Sequence, residues 1–172
     1  MRLMRWGVLL AALGICTLAN PNTTRARGAG QGAAAMPASM PKNPESLGVL
    51  YYPAAQVTAA LQNGTTLLGG DNYDYRLIGG RHNSPGGVEL HKTETDVFYV
   101  VDGAATFITG GTIVGENTSP TNPNEVRGTS IDGGVSHALS QGDVIVIPAG
   151  TPHWFQSVPT MIHYFVIKIK TN

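Results

Sequence analysis

The chain has 172 residues, enough for one folded domain with a buried core, and its 11 basic side chains balance its 11 acidic ones. This neutrality, and the lack of any basic run interleaved with aromatic residues, argue against nucleic acid or an anionic membrane surface as a partner. The 22 glycines, 11 prolines and only 13% charged residues are typical of a turn-rich globular domain rather than a helical bundle.

The N-terminal sequence is typical of a secretory signal peptide. A basic start, MRLMR, precedes an apolar run over residues 6–19 that is short for a membrane span, and small and polar residues follow it. We therefore predict a signal peptide over residues 1–19, a secreted or periplasmic location, and no membrane span in the mature chain. Cys16 is the single cysteine, so the mature chain forms no disulfide. A lipid anchor through Cys16, or a retained anchor, is the alternative, although Ile15 is a poor fit before a lipidated cysteine.

The segment after the signal peptide, residues 20–47, is rich in Ala, Gly, Pro and Ser and shows no hydrophobic periodicity, which predicts a flexible linker. Residues 48–172 then form the predicted folded domain. Its first element is one short helix over residues 53–64, because Pro53 suits a first helical turn and Gly64 can end the helix.

Strand patterns follow this helix one after another. They are short β-branched or aromatic segments between Gly, Asn, Asp or Pro clusters, such as YRLI, DVFYVV, DVIVIP and MIHYFVIKI. No second helical pattern alternates with them, so we predict an all-β barrel or double-sheet sandwich rather than a parallel α/β sheet. Gly110 and Gly111 predict a two-residue hairpin turn. The polar residues 115–134 predict a long loop, either functional or mobile.

Polar side chains with metal-ligand chemistry lie close together in GVELHKTETDVFYVVDG, residues 87–103. Glu89 and His91 are two apart on a strand and point to the same face, and Asp96 begins the next strand after a short turn. Downstream, GDVIVIPAGTPHW carries His153, which completes the set if its strand lies across the barrel. Two imidazoles and two carboxylates suit one divalent transition metal, Fe, Mn, Zn or Ni, and the two negative charges favour a cation over an empty site.

The same residues also allow plainer interpretations. The two histidines can be hydrogen-bonded core residues, Glu89 can face solvent at a strand edge, and Asp96 can simply close the turn ahead of its strand. If that turn is tighter than we predict, Glu94 replaces Asp96 as the ligand. Histidines outside the cluster are expected at the surface or in hydrogen bonds, and these are His82, His137 and His163.

These residues give the chain a resemblance to the cupin superfamily of small β-barrels, which carries two motifs on antiparallel strands. The first motif is Gly, five residues, His-x-His, three or four residues, Glu, six residues, Gly. Its positions after the leading glycine are taken here by Glu89, His91, Asp96 and Gly103. Asn83 stands where the leading glycine is expected, and the site is more anionic than the pattern it resembles.

The second cupin motif is Gly, five residues, Pro-x-Gly, two residues, His, three residues, Asn. Gly142, Pro148, Gly150 and His153 match it, and Ser157 replaces the asparagine. The resemblance implies an all-β fold, a cupin-type antiparallel β-barrel (double-stranded β-helix or jelly roll) with one short helix preceding it. It also implies a metal held by the residues at the two motifs' ligand positions.

Apolar residues occupy both faces of the predicted strands. Those on the ligand face are expected to line a pocket, and these are Phe98, Val100, Phe155 and, from the last strand, Tyr164. Those on the opposite face need a cover, and these are Val88, Leu90, Val97, Tyr99 and Val101. The N-terminal segment, a second sheet edge or another copy of the chain in a homodimer can supply that cover.

Three functions stay open from the sequence. In the first the chain is a metalloenzyme acting on a small molecule, since the enzymes it resembles include dioxygenases, isomerases and lyases. In the second it is a non-catalytic cupin that binds a small ligand or a metal. In the third it is a structural or interaction domain that keeps relic motif residues. No serine triad, phosphate loop or mature-chain thiol narrows the reaction, and no catalytic residue is assigned.

Overall fold

The computed structural model describes residues 48–70 and 74–171. Within these residues one helix, α1 (Ala54–Asn63), is followed by thirteen strands. The strands are β1 (Thr66–Leu68), β2 (Tyr75–His82), β3 (Val88–His91), β4 (Glu94–Asp102), β5 (Ala104–Thr109), β6 (Thr112–Val114), β7 (Asn117–Thr118), β8 (Glu125–Gly128), β9 (Ser130–Asp132), β10 (Val135–Ser140), β11 (Val144–Ile147), β12 (His153–Ser157) and β13 (Ile162–Lys170). The predicted signal peptide (1–19) and linker (20–47) lie outside the described residues.

The predicted helix is confirmed with nearly the predicted ends. Pro53 precedes it in an extended conformation, and Gly64 ends it with a left-handed φ of 66°, its N–H donating to the carbonyl of Ala60. The helix packs on β2 at Gly79, where a Cβ atom would come within 2.7 Å of the helix backbone. The described residues contain no helix with the length and apolar character of a membrane span.

The strands form antiparallel sheets that face each other. One sheet has five strands in the order β1-β2-β13-β4-β11, and the other has six in the order β10-β5-β12-β3-β8-β7; β6 and β9 form a separate pair. The core between the sheets is aromatic and aliphatic. Its main members are Phe98, Val100, Tyr164 and Val166 from the five-stranded sheet and Ala105, Phe107, Leu139 and Phe155 from the other. This is the predicted all-β, cupin-type barrel with one short helix before it.

Strand register places a charged layer at one end of the five-stranded sheet. Directly paired residues on antiparallel strands share a face. Lys168 of β13 pairs with Asp96 of β4 on one side and with Arg76 of β2 on the other, and Lys170 pairs with Glu94. Asp96 is buried whereas Lys170 is exposed, so this row of charges runs from the interior of the barrel to its surface.

Two expectations from the sequence are wrong. The polar residues 115–134 do not form one long loop, since they contain β7, β8 and β9, and β8 pairs with β3. Short strands with alternating charged and apolar residues, such as EVRG, do not stand out from a polar background. Gly110 and Gly111 do not form a hairpin turn, because β5 pairs with β10 and β12 whereas β6 pairs with β9. Their positive φ angles, 72° and 75°, instead let the chain leave one sheet for the next.

Candidate metal centre

The residues predicted to form the site come together between the two sheets. Glu89 and His91 lie on β3, and His153 begins β12, where it pairs in register with Glu89. The turn before β12 is tied to β3 by a hydrogen bond of 2.8 Å from the Gly150 amide to the His91 carbonyl. Asp96, on β4, faces them from the opposite sheet. The spacing of two residues on a strand and the Pro-x-Gly turn therefore bring these side chains together, and their role as metal ligands stays a prediction.

The two imidazoles converge on the two carboxylates. His91 Nε2 lies 3.4 Å from Glu89 Oε2 and 3.5 Å from Asp96 Oδ2. His153 Nε2 lies 3.9 Å from the same Glu89 oxygen and 3.7 Å from the same Asp96 oxygen. One ligand atom each from Glu89, His91 and His153 falls within 4.8 Å of the others, a spacing that allows all three to reach one metal ion.

Buried polar atoms at the site support its fit to a metal. His91 Nε2, His153 Nε2 and Asp96 Oδ1 are buried and make no hydrogen bond. Such an atom costs about 1–3 kcal/mol when it is left without a partner. His153 Nδ1 donates to the carbonyl of Thr151 at 3.1 Å, so Nε2 carries the lone pair and points into the site. A donor set of two imidazole nitrogens and a carboxylate is one that divalent transition metals take, and these residues fit such an ion.

Basic partners favour the ionised form of Glu89, and burial favours the neutral form of His153, which are the forms that bind a metal. Burial alone would raise the pKa of Glu89, but the His91 imidazole and the Arg127 guanidinium favour the carboxylate and lower that pKa to about 2. Burial lowers the pKa of His153, and the Thr151 carbonyl and the nearby Asp96 oppose this without reversing it. Glu89 is therefore ionised and His153 neutral at pH 7.

Each carboxylate of the site also has a basic partner that the sequence did not predict. Arg127, across from Glu89 in the β3–β8 register, contacts Oε1 of Glu89 and also contacts Glu125. Lys168 Nζ lies 2.6 Å from Asp96 Oδ2. Arg127 was hidden in a stretch interpreted as a loop. Lys168 shares a strand face with Tyr164, which predicts that it points inward. Its contact with Asp96 follows only when the register of β13 with β4 is known.

The residues predicted to line the pocket lie in the core beside the site. The Phe98 ring centroid is 6.4 Å from that of His153, and Phe155, Val100 and Tyr164 belong to the same buried cluster. Burial raises the pKa of Tyr164, so its phenol stays neutral. The sequence did not single out Phe107, whose ring lies 6.0 Å from that of His153. That these residues line a substrate pocket stays a prediction.

The remaining candidate residues have other partners. Glu94, the alternative ligand, is bound by one terminal nitrogen of Arg76 at 2.7 Å from both carboxylate oxygens. His137 is hydrogen-bonded to Thr109 and His163 to Asp102. His82 packs its ring 4.5 Å from that of Phe155. The expectation of a surface or hydrogen-bonded position is confirmed for His137 and His163. His82 is instead partly buried, and the charge of Glu89 opposes the lowering of its pKa by burial.

A polar cavity of about 360 Å³ opens beside His91. Charged, hydroxyl and amide side chains dominate its lining, which includes Arg76, Thr93, Glu94, Asn122, Asn124 and Lys170. The cavity therefore lies between His91 and the charged end of the five-stranded sheet. Its lining offers both donors and acceptors to a small polar molecule.

A comparison with protein families agrees with this architecture. A family model described as Cupin matches residues 81–172. No curated protein matches the chain. Among solved structures, a cupin protein from Bacteroides fragilis is 12% identical with a TM-score of 0.38, and the match covers 56% of this chain and 66% of that one, just under two thirds.

Two further solved structures match at similar levels. A conserved protein with a double-stranded beta-helix domain from Klebsiella pneumoniae is 15% identical with a TM-score of 0.43, covering 63% of this chain and 76% of that one. Oxalate decarboxylase from Bacillus subtilis is 14% identical with a TM-score of 0.39, covering 56% of this chain and 21% of that one.

Proposed function

The chain belongs to the cupin family, and from that premise we propose that it binds one divalent transition metal, Fe, Mn, Zn or Ni, and acts as a metalloenzyme on a small molecule. One observation carries the proposal. Two buried imidazole nitrogens without hydrogen-bond partners, on His91 and His153, converge on the carboxylate of Glu89, which stays ionised. A cation between them would bind all three side chains and remove the free-energy cost of leaving these buried atoms without partners.

The chain's own residues prepare this site. Glu89, His91 and His153 would hold the metal, which when bound supplies Lewis acidity and a template for substrate. Arg127 holds one oxygen of Glu89 and leaves the other facing the imidazoles, and the Thr151 carbonyl fixes the tautomer of His153. The aromatic core beneath excludes water, and the polar cavity beside His91 has room for a small substrate. Oxygenase, isomerase and lyase chemistry all stay open.

A specific observation favours a second candidate, a cupin that binds a small ligand or a metal without turnover. Both carboxylates nearest the site are already engaged by cations, Glu89 by Arg127 and Asp96 by Lys168. Each carboxylate is therefore part of an ion pair, and neither is an unengaged general base for a substrate. Measuring turnover of metal-loaded protein against small diols, keto acids and sugars distinguishes the two candidates, since only the enzyme forms product or consumes oxygen.

Metal content is the first test of the proposed site. Protein purified without chelators should carry about one equivalent of a divalent transition metal by mass spectrometry, as a single centre requires. His91→Ala and His153→Ala should lose it, because each removes one ligand. His163→Ala is the matched control, since its imidazole pairs with Asp102 instead. A protein that stays metal-free after loading, or equal loss in the control, would contradict the proposal.

We also propose that the chain is exported, with a cleaved signal peptide at residues 1–19, a linker at 20–47 and one cupin domain at 48–172. The basic start and short apolar run of the N-terminal sequence support this. Expression of the full chain in a bacterium, followed by fractionation and N-terminal sequencing, should recover a shortened protein outside the cytoplasm. Intact protein in the cytoplasm contradicts export, and acylated protein beginning at Cys16 supports the lipid anchor instead.

A homodimer is proposed from the outer face of the five-stranded sheet. Large apolar side chains lie exposed on three neighbouring strands of this face, and these are Tyr99, Val144, Val146, Ile167 and Ile169. Val144 pairs directly with Tyr99, so the patch is continuous, and continuous exposed apolar patches are typical of interfaces. β11 is an edge strand, which leaves room for a second copy beside it.

Light scattering tests the homodimer. The wild-type mass should be that of two chains, and Val146→Lys should reduce it to one, because a charge within the patch opposes its burial. Ser136→Lys, on an exposed position of the other sheet, is the control. A wild-type mass of one chain at every concentration would end the proposal.

A further inference from the structure

We propose that Lys168 decides which side chains bind the metal: its ammonium keeps Asp96 as a counter-ion, so that the ligand set is Glu89, His91 and His153 and a further coordination position stays open. Lys168 is then a positioning residue that acts through Asp96. The inference rests on the proposed metal site and specifies its composition. It concerns a residue that neither cupin motif contains.

Strand register brings the two side chains of this pair together. Lys168 and Asp96 are direct partners on β13 and β4 and therefore share the inward face of the sheet. Lys168 Nζ lies 2.6 Å from Asp96 Oδ2, a short charge-assisted hydrogen bond. The Asp96 side chain is 2% exposed and that of Lys168 12%, so water screens the pair very little. The contact is thus a buried ion pair that the strand register fixes in place.

The oxygen of Asp96 that Lys168 binds is the one that faces both imidazoles, whereas Oδ1 is buried and makes no hydrogen bond. Asp96 Oδ2 is the atom that lies 3.5 Å from His91 Nε2 and 3.7 Å from His153 Nε2. A metal that took this oxygen would sit close to the ammonium, and two cations in a buried site repel each other strongly. Freeing Asp96 for the metal would also leave the ammonium buried without its partner, which is costly. The ammonium and the metal therefore compete for Asp96.

Glu89, the other carboxylate, has its basic partner on a different oxygen from the one that faces the imidazoles. Arg127 contacts Oε1 of Glu89, whereas Oε2 is the oxygen that faces both imidazoles. The guanidinium therefore orients Glu89 without occupying the oxygen that the metal requires. Asp96 has the reverse arrangement, with its cation on the inward oxygen. Two carboxylates at motif positions thus have two different roles.

The test compares metal affinities measured by calorimetry with Mn²⁺ and Co²⁺. Lys168→Met keeps the length of the side chain and removes its charge, which frees Asp96 to bind the metal. We expect Lys168→Met to bind about tenfold more tightly than the wild type, within the range by which outer partners change metal affinity. In Lys168→Met/Asp96→Asn this gain should disappear, because the new ligand is lost.

Visible absorption of the Co²⁺-loaded proteins gives a second readout. A carboxylate that joins the ligand set changes the coordination of Co²⁺, so the spectrum of Lys168→Met should differ from that of the wild type. The spectrum of the double variant should return toward that of the wild type. A purely structural effect of Lys168 would alter stability without this pattern. Circular dichroism of the metal-free variants confirms that each is folded.

Lys170→Met is the matched control, because Lys170 lies on the same strand face two residues further along and pairs with Glu94. An equal gain in affinity for Lys170→Met would show a general effect of charge and overturn the inference. An unchanged or weakened affinity in Lys168→Met, with metal bound by the wild type, overturns the inference alone. No binding by either protein overturns the proposed metal site as well.

Discussion

The two sheets contribute to the site in different ways, although each supplies a carboxylate with a basic partner. On the six-stranded sheet, Glu89 is partly exposed and its cation, Arg127, approaches from the side away from the imidazoles. On the five-stranded sheet, Asp96 is buried and its cation, Lys168, binds the oxygen that faces the imidazoles. The position of the cation, rather than the presence of the carboxylate, decides whether a side chain is prepared to bind a metal.

The largest expected effect, on the free energy of unfolding, comes from breaking the buried ion pair between Asp96 and Lys168. In the metal-free protein, Asp96→Ala leaves the ammonium of Lys168 inside the barrel without a partner. We expect the free energy of unfolding in urea to fall by about 3–5 kcal/mol, the usual cost of removing one member of a buried ion pair. Glu89→Ala should cost less, because its ion pair with Arg127 is partly exposed.

A double variant separates the charge effect from simple loss of packing. Asp96→Ala/Lys168→Met removes both charges and should recover much of the stability that Asp96→Ala loses. Equal stabilities of the single and double variants would mean that the pair contributes little and that the loss comes from the cavity left by the aspartate.

The next largest effect is a loss of metal affinity when the other carboxylate, Glu89, is changed. Glu89→Gln replaces the ionised ligand with a neutral amide of the same shape, and we expect metal affinity measured by calorimetry to fall by about 100-fold, the upper end of what outer partners alone contribute. Glu94→Gln is the control, since Glu94 is held by Arg76. Comparable losses in the two variants would show that overall charge, and not ligation by Glu89, sets the affinity.

The sequence was sufficient to predict the barrel and the side chains that meet in it. Short β-branched segments predict the strands, and Glu89 and His91 share a face because they are two residues apart. The Pro-x-Gly turn before His153 fixes where the second half of the site begins. These rules are local and place each half of the site. That the two halves meet followed from the resemblance of the two motifs to those of cupins.

What the sequence could not give is the pairing of strands far apart in the chain. Lys168 lies 72 residues from Asp96, and Arg127 lies 38 residues from Glu89. Their contacts depend on register, which no local pattern specifies. The sequence therefore suggested two uncompensated negative charges, whereas in the folded chain each carboxylate has its own cation. Net charge at a site is a property of the fold as a whole.

The smallest effect, a dependence of stability on pH, separates two groups by the range in which each titrates. Burial lowers the pKa of His82, so the unfolded chain binds this proton more readily and stability falls as the pH drops below 6.5, the ordinary histidine value. Glu89 has a pKa lowered from 4.5 to about 2, so its contribution to stability is complete above pH 4.5 and is lost only as the pH falls toward 2.

Urea denaturation of the metal-free protein at a series of pH values should show both ranges. His82→Phe, which keeps an aromatic ring against Phe155, should make the profile less steep between about pH 7 and 5, where the remaining slope comes from the buried His153, whose pKa is also lowered. Glu89→Gln should flatten the profile between about pH 4.5 and 2. If His82→Phe leaves the upper range unchanged, then burial of this imidazole does not set the acid limit of the fold.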